Sequence, residues 1–299
     1  MNPSPPLLFD RALIRQRLAR RLRAGDEADF LRRRAAEDVV DRLEGILRQF
    51  PLAVDLGSRD EAFAEALAAS PAQRAIGALI RARPDAARAA RSGTGGTVAD
   101  EEALPFLPES LDLIVSILSL HWTNDLVGAL VQARRALKPD GLFIGALFTG
   151  STLTELRQAL LQAEEEVGGG ASPRVAPFAD GPDLAGLAQR AGLALPVVDI
   201  DRITVRYHHP FKLMADIRAM GETSPLMQHA RRPLRRASLA RAFEIYAERF
   251  SDPDGRIRAT FEISTLTGWA PHPDQQQPLK PGSAKMRLSQ ALGVEERKV

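Results

Sequence analysis

No cysteine occurs in the 299 residues. That absence removes disulfides, thiolate zinc sites and cysteine nucleophiles together, and it fits a reducing compartment. No apolar run approaches the roughly 20 residues needed to span a bilayer. The longest, "LIVSILSL" at 113–120, has the length of a strand and carries serines. A secretory signal is missing too: "MNPSPPLLFDRALIRQRLARRLRAG" lacks an apolar core and a cleavage site. Its Phe9, Leu13, Leu18 and Leu22 fall instead near one face of an amphipathic helix. Neither sign of charge dominates. Lys and Arg number 40 against 38 Asp and Glu, a formal net charge of +2. A basic stripe large enough to argue for nucleic acid is absent. No Gly-x-Ser-x-Gly elbow occurs, so hydrolase chemistry has no support. The expected location is cytoplasmic, or the mitochondrial matrix in a eukaryote.

What the chain does contain is alternation. "LAVDLG" (52–57), "RAIGALI" (74–80), "GTVAD" (96–100), "LDLIVSILSL" (111–120) and "LFIGALFTG" (142–150) read as strands. Helical stretches "RDEAFAEALAA", "PDAARAARSG" and "DLVGALVQARRALKPDG" separate them, the last with a Lys-Pro-Asp-Gly stop. Such alternation predicts a parallel sheet with right-handed crossovers, and ligands bind outside the carboxyl ends of its strands. A long helix "TLTELRQALLQAEEEV" follows, then a helix near 182–192 and a strand at 197–207. Helices at 210–221 and 233–250 and a strand at 259–270 complete the pattern. The two late strands predict an antiparallel edge pair with a helical cover. The expected organisation is an N-terminal helical arm at 1–50 and one α/β domain at 51–299, with a helical insertion at about 208–257.

One stretch carries the functional question. In "LAVDLGSRDEAFAEAL" (52–67) a strand ends in an acid and a glycine, and a helix begins a few residues later. A glycine there lets backbone approach a ligand closely, and the helix start offers free N–H groups.

The order of these segments resembles a class I S-adenosylmethionine-dependent methyltransferase from about Val54 to Trp269. "VDLGSRDEAFAEAL" stands at the family's first motif, "VADEEALPF" after the third strand, "LDLIVSILSLHW" at the fourth and "RRALKPDGLFIGAL" at the fifth. "FDRALIRQR" near the start and "GWAPHPDQQQPLKPGSAKMRL" near the end resemble, within that superfamily, the complex I assembly factor 5 group. The expected fold is thus a Rossmann-like, mostly parallel α/β sheet.

The resemblance implies S-adenosylmethionine as cofactor. Asp55, Gly57 and Ser58 match the methionine side, and Asp100 and Glu101 the adenine side. Ser119 completes the cofactor set, while His121 and Trp122 border the acceptor. No catalytic residue and no metal ligand are assigned. The family's further glycines are replaced by Arg59 and Glu61, and no acid ends the second strand at Ile80 or Arg81. Arg59 is expected beside the cofactor, with Glu61 as its partner if the turn is not helical. A guanidinium ~4 Å from a sulfonium would cost up to ~4 kcal/mol at an effective dielectric of ~20.

The implied function is a methyltransferase-like protein of respiratory complex I assembly, with a complex I subunit as client. Two alternatives stand beside it: an arginine hydroxylase acting on such a subunit, and a non-catalytic assembly chaperone of methyltransferase fold. The remaining candidates have plainer readings. Asn124 or Asp125 caps a helix; His208 and His209 end a strand; His272 is a loop residue or a partner contact; "SGTGGT" (92–97) is a connector. "RRPLRRASLAR" (231–241) is a solvated face, or else a docking surface for an acidic partner or a membrane.

Overall fold

The computed structural model describes residues 7–21, 29–91, 95–168, 170–227 and 233–275. Helices α1 (Arg11–Arg21) and α2 (Phe30–Glu44) precede the first strand, β1 (Phe50–Leu56). Then follow α3 (Ala62–Ala68), β2 (Ile76–Arg83), α4 (Ala86–Arg91), β3 (Gly96–Val98) and β4 (Leu111–Ile117). The second half holds α5 (Leu126–Ala136), β5 (Leu137–Phe148), α6 (Thr154–Gly168), α7 (Asp183–Arg190) and β6 (Ala194–Tyr207). Last come α8 (Pro210–Ala219), α9 (Arg236–Phe250) and β7 (Ile257–Trp269). The strands form a seven-stranded sheet in the order β3-β2-β1-β4-β5-β7-β6. Strands β1 to β5 are parallel, β7 runs antiparallel to β5, and β6 antiparallel to β7. The strand order reverses direction between β1 and β4, and the crevice of such a sheet opens there.

Side-chain alternation divides the core between the two faces of the sheet. On β5, Leu142, Ile144 and Ala146 enter the larger core with Val39 of α2, Leu160 of α6 and Ile245 of α9. Phe143, between them, enters the other core with Leu130 of α5 and Ala188 of α7. A third, small cluster joins Phe9, Ile14 and Leu18 of the N-terminal segment to Trp122, Ala176 and Leu226. No helix among the described residues is long and apolar enough to cross a membrane.

Several boundaries differ from the sequence expectation, and three of them have an evident physical cause. The Lys-Pro-Asp-Gly stretch, read as a helix stop, lies inside β5. Leu137 already pairs with Leu111, and a register shift before Leu113↔Leu142 absorbs the extra residues. Asp140 takes φ 63° within this irregularity and its N–H bonds to the Ala270 carbonyl. Strand β2 runs on to Arg83 because it pairs with β3 there, and a 3-10 turn at Pro71–Ala75 precedes it. Strand β4 stops at Ile117: Leu118 has φ 47° and Leu120–Trp122 form a 3-10 turn.

Candidate active site

Strand β1 delivers Asp55 and then Gly57 to the crevice. Asp55 is buried, and that burial pushes its carboxyl up to about 7, against a hydrogen bond from Ser58. Gly57 has φ +71°. A Cβ on it would lie 2.1 Å from Ser119 Oγ and 2.6 Å from Glu101 Oε1. The ends of β1, β3 and β4 therefore meet at one point, and only glycine fits there.

Four of the expected residues are joined here. Ser119, buried after β4, donates its hydroxyl to Glu101. Glu101 and Asp100 both accept from Arg11 of α1, each at 2.5 Å. Arg11 also reaches the Trp122 carbonyl at 3.3 Å, and Arg15 bonds Asp100 at 3.1 Å. Burial opposes the Arg11 charge, but Glu101 and Asp100 leave its pKa raised.

A second cluster was not legible in the sequence. Its centre is Glu222, in the loop after α8. Its carboxylate accepts from Arg59 Nη1 at 2.5 Å, Trp122 Nε1 at 2.7 Å and His121 Nε2 at 2.9 Å. Arg32 of α2 lies 3.7 Å away and pairs with Asp60 at 3.0 Å. Burial alone would raise the Glu222 carboxyl; Arg59, His121 and Arg32 instead hold it well below the usual range. Burial lowers the pKa of His121, so the neutral imidazole donates from Nε2 to the carboxylate. Its ring contacts those of Trp122, Phe148 and Phe178.

Arg59 and Glu61 thus behave differently from expectation. They do not pair. Arg59 turns to Glu222, because a fully buried guanidinium needs a carboxylate. Glu61 turns to the end of β2, where it binds Arg81 at 2.7 Å and also Arg83. A carboxylate does sit at that strand end, supplied from the first loop rather than from β2.

A cavity of about 170 Å³ adjoins the Glu222 cluster. Trp122, Leu153, Phe178, Ile217 and Glu222 are among its walls. Trp122 reaches it directly, whereas His121 stands behind Trp122 and Phe178. His209 and His272 take plain roles. His209 Nδ1 accepts the Phe211 N–H at the start of α8, and His272 Nδ1 accepts the Asp274 N–H. Asp125 caps α5 through the Gly128 N–H. Arg241 pairs with Glu166 and Glu244. Leu22, 92–94, 231–232 and the tail from 276 onward lie outside the described residues. Among the described residues, no three His, Asp or Glu side chains gather to hold a metal ion.

This sheet order, with a glycine turn at its switch point and an antiparallel pair beyond β5, defines a protein of class I methyltransferase type. Residues 54–145 match the model of the methyltransferase domain family. The YcgJ protein of Bacillus subtilis shares the fold, with TM-score 0.53 and 14% identity over 80% of this chain and 99% of its own. Among sequence relatives, arginine-hydroxylase NDUFAF5 of Danio rerio is 38% identical over 289 residues, 94% of this chain and 88% of that protein. Malonyl-[acyl-carrier protein] O-methyltransferase of Halorhodospira halophila is 30% identical over 283 residues, 90% of this chain and 91% of that one. The chain belongs to the NDUFAF5 family.

Proposed function

We propose that this chain is an S-adenosylmethionine-dependent, methyltransferase-like protein acting in respiratory complex I assembly, with a subunit of that complex as its client. The observation that carries this reading is the convergence of Gly57, Glu101 and Ser119 at the switch point of the sheet, beside a chamber walled by Trp122. The compartment follows the client: the mitochondrial matrix in a eukaryote, the cytoplasm otherwise.

The cofactor's chemistry suits the donor set. Asp100 and Glu101 offer carboxylates to amine and hydroxyl donors, and Gly57 offers bare backbone. The Asp55, Gly57 and Ser58 turn takes the methionine side, and Trp122 faces the acceptor with His121 behind it. When bound, the cofactor supplies an electrophilic methyl group on a sulfonium. Glu222 neutralises Arg59 at 2.5 Å, which removes most of the repulsion a free guanidinium would exert. The protein's contribution is alignment: Trp122, fixed by Glu222, would hold the acceptor in line with the methyl group and away from water.

Calorimetry with S-adenosylmethionine and its demethylated product tests this. Saturable binding that is lost in Gly57→Val supports it. Absence of binding by wild type and by variants with a loosened arm leaves the assembly chaperone. One observation favours a second reading, the arginine hydroxylation for which the NDUFAF5 relatives are named: Asp100 and Glu101 already accept a guanidinium, that of Arg11. The mass gained by the client separates the two, one oxygen atom for hydroxylation and one methylene for methylation.

A further inference from the structure

The acid pair of the candidate cofactor seat is already in use. Asp100 Oδ1 accepts from Arg11 at 2.5 Å and from the Glu102 N–H at 2.9 Å. Asp100 Oδ2 accepts from Arg15 at 3.1 Å. Glu101 Oε1 takes the Ser119 hydroxyl, and Glu101 Oε2 takes Arg11 at 2.5 Å. Every oxygen of both carboxylates therefore carries a protein donor. Ser119 and the Glu102 amide belong to the sheet and its loops. Arg11 and Arg15 belong to α1, whose buried Ile14 and Leu18 lie in the small third cluster.

That helix is tied to a second element. Phe9 and Leu226 form an antiparallel bridge. The Asp10 N–H bonds to the Pro225 carbonyl at 2.8 Å, and the Met227 N–H to the Leu8 carbonyl at 3.0 Å. Arg17 bonds to the carbonyls of Thr223 at 2.6 Å and Ser224 at 2.9 Å. The same loop carries Glu222, which fixes Arg59, His121 and Trp122. Segment 7–21 and loop 221–227 are one cover with two charged anchorages, the acid pair at one end and Arg59 at the other.

We infer that segment 7–21 is a self-inhibitory strap: Arg11 occupies the seat of the adenosyl group, and the strap leaves together with loop 221–227. One motion then uncovers the acid pair and frees Trp122. The identity of the displaced ligand rests on the cofactor reading above; the coupling of strap to loop does not. A guanidinium on two carboxylates makes charge-assisted bonds about twice as strong as those of a neutral amine. The closed form is therefore the resting state, and apparent affinity falls by the fraction of molecules that are open.

The test uses the full chain, with S-adenosylhomocysteine as probe in calorimetry and hydrogen exchange read by mass spectrometry. Arg11→Gln is expected to bind about tenfold more tightly than wild type, as removal of a closed-state contact should do. Asn124→Ala acts in the same direction by a different route, since Asn124 Oδ1 accepts the Leu8 and Phe9 N–H groups at 2.8 Å each. Arg15→Ala, which removes an exposed partner, stays within about twofold. In Arg11→Gln, peptides covering 7–21 and 221–227 exchange faster together without ligand. Unchanged affinity in Arg11→Gln, with wild type binding, overturns the inference; so does faster exchange confined to 7–21. If no variant binds but the two segments still open together, the cofactor reading falls and the coupled strap stands. If neither occurs, both fall.

Discussion

Gly57 is held at φ +71° with Ser119 and Glu101 pressed against it. Gly57→Ala would place a Cβ in the left-handed region and against two buried groups fixed by other strands. The expected loss of stability is about 2–4 kcal/mol, read as a lowered denaturation midpoint. Adding Ser119→Ala should recover part of it, because the nearest clash is with Ser119 Oγ; no recovery would mean that backbone strain alone sets the cost. Asp55 gives a pH dependence. Its folded pKa is raised by burial to about 7 from 3.8. The stability it contributes is thus fully present below about 3.8 and is lost as pH rises through about 7, since the folded state binds the extra proton. Asp55→Asn should flatten this fall, gaining on wild type between pH 5 and pH 8 in denaturant midpoints. A constant difference across that range would show that Asp55 is ionised in the folded protein. Glu222 has the opposite sign: its depressed pKa gives stability present above about 4.5 and lost in acid. At this scale the sequence pointed to Gly57, Asp100, Glu101 and Ser119, because each follows a strand in a known order, and the structure brings the four together. It hid Glu222 and Arg11. Arg59 meets Glu222 across 163 positions and Arg11 meets Glu101 across 90, and no local pattern marks either pairing.

The loop between α8 and α9 shows what one element adds. Glu222 anchors this loop to the Gly57 turn through Arg59 and to the end of β4 through His121 and Trp122. Glu222→Ala would leave Arg59 without its carboxylate in a dry site, an expected loss of about 3–5 kcal/mol. Arg59→Met in the same chain should restore much of that, since the stranded charge is gone. Strictly additive losses in the double-mutant cycle would show that the two side chains do not interact. Trp122 emission should shift in Glu222→Ala as its indole N–H loses an acceptor, with Trp269 on β7 as the invariant background. The element pattern itself was largely legible. Parallel strands buried on both faces read as apolar runs, and the late antiparallel pair followed from two strands separated by helices. The exception, Lys-Pro-Asp-Gly inside β5, has local signals for a stop. Pairing of Leu137 with Leu111 outweighs them, as tertiary context commonly does. Helix α2 escaped notice as a separate element because its buried face is spelled partly in alanines, Ala35 and Ala36, between charged neighbours.

At the scale of the whole molecule, two cores share one sheet. Ile114 of β4 lies in the core with α5 and α7; Ile245 of α9 lies in the core with α2 and α6. The strands between them are common to both, because adjacent residues on β4 and β5 point to opposite faces. Neither core can be lost while the sheet persists with a dry face exposed. Ile114→Ala and Ile245→Ala should each cost about 2–5 kcal/mol, and both should move the same cooperative transition. The measurement is denaturant unfolding followed at once by circular dichroism and by tryptophan fluorescence. Trp122 reports from the strap side and Trp269 from β7 at the far end of the sheet. Coincident curves in wild type and in both variants mean that the sheet unfolds as one unit. A split in which Ile245→Ala lowers only one of two transitions would make the α8–α9 cover an independent unit. Loop 221–227 would then open by unfolding of its whole support, and a strap released locally with Arg11 would no longer describe how the crevice is uncovered.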